Sequence, residues 1–331
     1  MMKRTVIFIY FLLAVLMSAN ADLGKIVLES GGSIKLFDAT QLQDAINAAH
    51  DGDVIYLSDG SFGYWDSYPI VINKQVRLRG VGNTGSQLYS RVIIDIDGNP
   101  TLSSPMAEGV CFSNSVSVSK MLTGLEFKKC KMSVLHFGDD MPSALIDRCW
   151  IADTLDLSNL KMNTIKIRNS KVGCLYSNYN RDYACTFINC NIANSYADKC
   201  WDVRANFVNC ILDCASARNS EYSGHVGSSY VYNTLRTQSN HSWTFGENTY
   251  YYEEGNTNQL LYSDCSCFFS AGRLKELGYL GTDGTVIGIE GGDNPYTLEV
   301  SPSITQWSFQ TDETKDNVTV NISVTSKNNQ K

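Results

Sequence analysis

Asp182 and Asp202 lie twenty residues apart, with Arg181, Lys199 and Arg204 close to them in sequence. Two carboxylates brought together are residues that can hold a cation, and a neighbouring base can take a proton or neutralise an anion. The same stretch is rich in aromatic residues: Tyr176, Tyr179 and Tyr183, then Tyr196 and Trp201. Such rings carry an apolar face and a polar tip, which suits the C–H face of a sugar. Each reading has a plain alternative. The aspartates can be solvated partners of those same bases, a contact of ~0–1 kcal/mol. The rings can simply pack loops onto the body of the fold.

Other chemistry is hard to find. His50, His136, His225 and His241 show no ligand spacing of the H-E-x-x-H kind. Gly80 to Gly85 reads GVGNTG, the dinucleotide pattern, but that pattern must open a helix, and here the next apolar run is strand-like. No serine nucleophile elbow and no phosphate loop is present. The charge balance is acidic, 27 Lys+Arg against 34 Asp+Glu for a net −7, which argues against a nucleic-acid binder. An apolar content of 43% with 18% charged residues excludes a disordered chain.

For Asp182 and Asp202 to meet, the chain must repeat, and it does. The pattern apolar-x-x-(Cys/Ser/Thr)-x-apolar recurs as FKKCKM from Phe127, IDRCWI from Ile146, IRNSKV from Ile167, FINCNI from Phe187 and FVNCIL from Phe207. A weaker copy, VYNTLR, starts at Val231, and the intervals are 19, 21, 20, 20 and 24 residues. Within a copy, Cys190 and Ile192 share a strand face, but Phe187 joins them only if the chain bends between. Asn189 sits at that bend, and Asn tolerates the left-handed conformation better than most residues. Asn169, Asn209 and Asn233 hold the same position.

The unit is therefore a strand, a corner and a second strand. One unit cannot bury its own apolar face, whereas stacked copies can. Stacking predicts three ladders: inward Phe/Ile, inward Cys/Ser, and corner asparagines whose amides bond one another. Thirteen residues beyond the corner, Lys161, Asp182, Asp202 and Tyr222 fall on successive coils, and Tyr176 falls beside Tyr196.

The eleven cysteines read mainly as packing. Cys130, Cys149, Cys190 and Cys210 are small inward residues, since a buried free thiol behaves as a small hydrophobe. No C-x-x-C pair marks a metal site. Cys174, Cys185, Cys200 and Cys214 fall in expected loops, and Cys265 and Cys267 have no assigned place. A disulfide framework is the less favoured reading.

The ends carry their own signals. Lys3 and Arg4, an apolar run from Val6 to Met17, and Ala19-Asn20-Ala21 form the layout of a secretory signal peptide over residues 1–21. Twelve apolar residues are too few to span a bilayer. The expected address is therefore secreted, periplasmic or cell-surface, with the solenoid over 22–294. Thr40 to Gln43 reads as a capping box, and Leu42, Ala45, Ile46 and Ala49 mark one face of a helix of about ten residues that would cover the open end of the stack. Short strands follow at Val54 to Leu57, Ile70 to Ile72, Val76 to Leu78 and Val92 to Ile96. Residues 295–331 alternate in period two around Asp312 to Asp316 and predict a β-hairpin, a surface for a protein partner.

LQDAINAAHDGDVIYLSDGSF from Leu42, with IVINKQVRLRGVG from Ile70, resembles the opening of right-handed parallel β-helix proteins of the pectate-lyase-like and chondroitinase-B-like group. GTDGTVIGIEGGDNPYTL from Gly281 resembles the end of secreted β-helix proteins common in gut Bacteroidetes. The resemblance implies an all-β solenoid and contact with polysaccharide, often acidic. It leaves open whether the protein binds, cleaves or only displays a surface. If it cleaves, the resemblance implies a lyase that holds Ca²⁺ on Asp182 and Asp202 and uses Arg181, Lys199 or Arg204 as base or charge neutraliser. If it binds, Tyr176, Tyr179, Tyr196 and Trp201 are the glycan-contacting residues.

Overall fold

The computed structural model describes residues 24–63, 68–139, 141–160, 164–176, 185–192, 205–212, 231–232, 235–236, 250–251, 271–276, 278–296, 303–312 and 317–325. These residues form a parallel β-solenoid. One sheet runs from Val54–Leu57 through Arg77–Arg79, Ala107–Glu108, Thr123–Lys128, Ser143–Asp147, Thr164–Arg168 and Cys185–Ile188 to Asn206–Val208 and Val231–Tyr232. The other carries the second strand of each coil, among them Lys131–Phe137, Trp150–Asp156 and Lys171–Tyr176.

The pairing follows the sequence repeat copy for copy. Phe127 lies beside Ile146, then Ile167, Phe187, Phe207 and Val231. The side chains of Phe127, Ile146, Ile167, Phe187 and Phe207 fill the interior, and the Phe187 and Phe207 rings stack at 5.1 Å with planes 17° apart. Such an offset stack adds about 0.5–1.5 kcal/mol to the area buried.

The corners take the left-handed conformation in every described copy. The φ angles are 53° at Lys129, 53° at Arg148, 47° at Asn169, 51° at Asn189 and 54° at Asn209. This turn lets the small residue after the corner point inward along with the Phe/Ile three positions before it. Cys130, Cys149, Ser170, Cys190 and Cys210 are all buried there. Each donates to the carbonyl two residues back: Cys130 to Lys128 at 3.3 Å, Cys149 to Asp147 at 3.4 Å, Ser170 to Arg168 at 2.7 Å, Cys190 to Ile188 and Cys210 to Val208 at 3.2 Å. The same carbonyl accepts the corner N–H of the preceding coil, as when Lys129 donates to Asp147 at 2.9 Å. The position therefore needs a small residue that can donate a hydrogen bond, which is why Cys and Ser alternate. Burial pushes the Cys149 and Cys190 thiols well above the usual range, and a neighbouring thiol adds to it.

Four expectations change. The corner amides of Asn169 and Asn209 do not bond one another: a C-terminal segment lies on them, as described below. Cys174 and Cys185 are not loop residues but buried strand residues, in Lys171–Tyr176 and Cys185–Ile188. Cys174 is disulfide-bonded, to a cysteine outside the described residues. The capping box belongs to Asp38 and Gln41, with the Asp38 N–H donating to Gln41 Oε1 at 2.9 Å, because a 3₁₀ turn, Ala39–Gln41, precedes the helix Leu42–Ala48. The third strand of the opening is Arg77–Arg79 and the fourth is Val92–Ile94.

At the N-terminal end an antiparallel pair, Lys25–Ser30 and Ser33–Asp38, extends the first sheet beyond Val54–Leu57. The helix lies against it with Leu42, Ala45 and Ile46 buried. Together they cover an edge that would otherwise template further strands. Ser303–Asp312 and Asn317–Thr325 form the antiparallel C-terminal hairpin.

If the Cys/Ser position works through a small donor, Cys149→Ser should change stability by under about 1 kcal/mol, whereas Cys149→Leu should cost about 1–3 kcal/mol through overpacking. Phe187→Ala should cost about 3–5 kcal/mol. Urea unfolding curves check all three. In the native protein, Cys149 and Cys190 should resist iodoacetamide, since only a thiolate reacts readily.

Candidate functional site

Asp182, Asp202, Arg181, Lys199, Arg204, Tyr179, Tyr196 and Trp201 lie outside the described residues. Tyr176 is described, at the end of Lys171–Tyr176, and is 39% exposed. Its partner on the preceding coil is Asp156.

That pairing belongs to an outward row that sequence reasoning missed. Ser117, His136, Asp156 and Tyr176 lie in register on four successive coils. His136 Nδ1 and Asp156 Oδ2 are 2.7 Å apart, and the Ser158 N–H donates to Asp156 Oδ1 at 2.9 Å. The carboxylate selects the tautomer with the proton on Nδ1 and leaves Nε2 as an outward acceptor. Among the described residues no hydrogen bond joins Ser117 to the ring, so this is a His–Asp pair rather than a nucleophilic triad. Counting from the corner hides it. Ala152 and Asp153 form a bulge opposite single residues of both neighbouring strands, so Asp156 stands eight residues past its corner while His136 stands seven past its own.

A second feature lies at the start of the same strands. Lys131, Trp150 and Lys171 are in register on three coils. Lys131 Nζ lies 4.2 Å from the centroid of the Trp150 ring and Lys171 Nζ 5.7 Å. The corner beside them adds Lys128, Lys129, Arg148 and Arg168. Six bases and the lysine-flanked indole thus occupy two coil steps, about 10 Å along the axis. The acid among them is Asp147, fully buried, accepting from Arg168 Nε at 2.7 Å and Arg148 Nη2 at 3.1 Å. Glu108, which precedes Lys128 in that row, lies 3.9 Å from Arg79. Asp147 therefore fixes two guanidinium groups in place, and the ridge keeps a strong positive excess. The Trp150 indole N–H is buried with no acceptor among the described residues. The bases are visible in FKKCKM, IDRCWI and IRNSKV, and the repeat register would have gathered them.

Beyond Arg148 the corner row changes from bases to asparagine, because residues 281–296 lie over it. Asn209 Oδ1 accepts from the Thr282 N–H at 3.1 Å, Asn191 Oδ1 from the Ile289 N–H at 3.2 Å, and Asn169 Nδ2 donates to Gly291 O at 2.7 Å. The strap then reaches Tyr296, whose ring centre lies 5.4 Å from Lys171 Nζ and whose hydroxyl accepts from Asn83 Nδ2 at 3.0 Å. Gly292 permits this close approach: φ is 74°, and a Cβ there would collide with Asn189 Nδ2.

Among the described residues no group of three His, Cys, Asp or Glu could hold a metal. No helix among them is long and apolar enough to cross a membrane.

In the neutral form of His136, nitrogen NMR should find the proton on Nδ1, and Asp156→Ala should scramble the two tautomers. No protein-family model, curated protein or solved structure matches the chain, so the chemistry of the site rests on these residues alone.

Proposed function

We propose that the protein is an exported β-solenoid that holds acidic polysaccharide along the Lys131–Trp150–Lys171 ridge without cleaving it. The observation that supports this is the gathering of six bases over two coil steps in a chain whose net charge is −7. A local positive field on an acidic protein selects polymers that carry carboxylate or sulfate. Exposed Tyr176 supplies an apolar face for a sugar ring, while the Trp150 ring holds the two lysines that flank it. The outward sheet between the ridge and the His136–Asp156 row offers polar side chains for hydroxyl groups.

The address rests on the signal-peptide layout of residues 1–21. The disulfide at Cys174 supports it, since such bonds persist in oxidising compartments. A second reading is proton transfer on the same polymer, a β-eliminating lyase. The His136–Asp156 pair favours it, because its outward Nε2 is a poised acceptor. Release of product with ultraviolet absorbance from uronate polymers would establish that reading over simple binding.

Binding to heparin and polygalacturonate, measured against neutral dextran, tests the proposal. The charged polymers should bind and dextran should not, and affinity should fall as salt rises because exposed charges are screened. Lys131→Gln with Lys171→Gln should weaken binding about tenfold, at about 0.7 kcal/mol per lysine. Equal binding of dextran, or no loss in the double variant, would overturn it.

A further inference from the structure

We infer that residues 281–296 are a built-in competitor for the ridge, an acidic strap whose docking and a bound polyanion draw on the same lysine. The inference rests on the reading of the ridge as a polyanion site. The strap carries Asp283, Glu290 and Asp293 and no Lys or Arg. All three carboxylates belong to exposed residues, and none forms an ion pair among the described residues. They lie along the row of corners that continues Lys129 and Arg148. The strap lies on the neutral corners, and its last described residue, Tyr296, reaches Lys171 and, past the basic corners, Asn83.

Lys171 is the shared element. Its ammonium stands over Trp150 on one side and Tyr296 on the other. An anion that draws Lys171 outward also removes it from Tyr296. The docked strap is not fully satisfied either. Asn83 Oδ1 and Asn189 Oδ1 are buried with no hydrogen-bond partner among the described residues, one beside the Tyr296 hydroxyl and one beside Gly292. Buried unpaired polar atoms favour release, because each regains a water partner once exposed. A polymer lying along the ridge would also meet the negative charge of Glu290 and Asp293, and repulsion would push the strap and polymer apart.

Hydrogen–deuterium exchange on the full chain, with heparin as the polyanion, tests this directly. Heparin should raise exchange at 288–296, and Glu290→Gln with Asp293→Asn should tighten heparin binding about three- to tenfold. Both acids belong to exposed residues, so these changes spare the fold. Asp44→Asn, a charge change on the exposed face of the N-terminal helix, should leave affinity within about twofold. Unchanged exchange, or an equal gain from Asp44→Asn, would overturn the competitor while leaving the ridge intact. If the wild-type chain binds no heparin and the Glu290/Asp293 variant does, the strap masks the ridge and both readings stand. If neither binds, both fall.

Discussion

Everything in this solenoid depends on one backbone constraint: a left-handed corner once per coil, whose preceding carbonyl needs two hydrogen bonds. One comes from the corner N–H of the neighbouring coil and the other from the thiol or hydroxyl just past the corner. The first bond locks adjacent coils in register. The second admits a side chain that is small, inward and able to donate. Because register is locked, every outward residue has a fixed neighbour one coil away. The outward rows are consequences of that lock, since a slip of one residue would turn each outward side chain into the core.

The corner residue itself is free to vary, and the structure uses that freedom twice. Where the corner faces solvent it is Lys129 or Arg148. Where residues 281–296 cover it, it is Asn169, Asn189 or Asn209. A left-handed φ costs a lysine or arginine more than an asparagine, so the two bases are held there against local preference. Arg148 recovers part of that cost through Asp147, whose buried carboxylate also holds Arg168. The asparagines gain instead from the strap, since the Asn169 and Asn209 amides bond its backbone. A single column of turns thus changes from a charged ridge to a docking rail within one coil step.

The repeat made the core legible. FKKCKM to FVNCIL placed the Phe/Ile and Cys/Ser ladders and the corner conformation, and the structure puts Phe127, Ile146, Ile167, Phe187 and Phe207 in the row the spacing requires. Two things were out of reach. The bulge at Ala152–Asp153 moves Asp156 by one position, and nothing in the local composition announces it. Asparagine at the corners signals a turn, but the amide partners of Asn209 and Asn169 come from residues 73 and 122 positions later, a distance over which spacing carries no information. The bases of the ridge were written inside the repeat motifs, yet their convergence is a property of stacking and not of any one copy.

An acidic chain with one dense basic ridge differs from a uniformly charged surface in what it selects. A short anion gains little from any single exposed lysine. A polymer that follows the solenoid axis would meet one to three bases on each coil of the ridge, and its own charges are already joined, so the ordering cost of each further contact is small. The ends of the ridge then matter as much as its centre. On one side Glu108 and the N-terminal coils interrupt it. On the other lies the acidic strap, whose Tyr296 end runs on to Asn83. On the proposed reading, the length of polymer that lies down is set by a boundary that is partly covalent and fixed, and partly a docked segment that contacts Lys171.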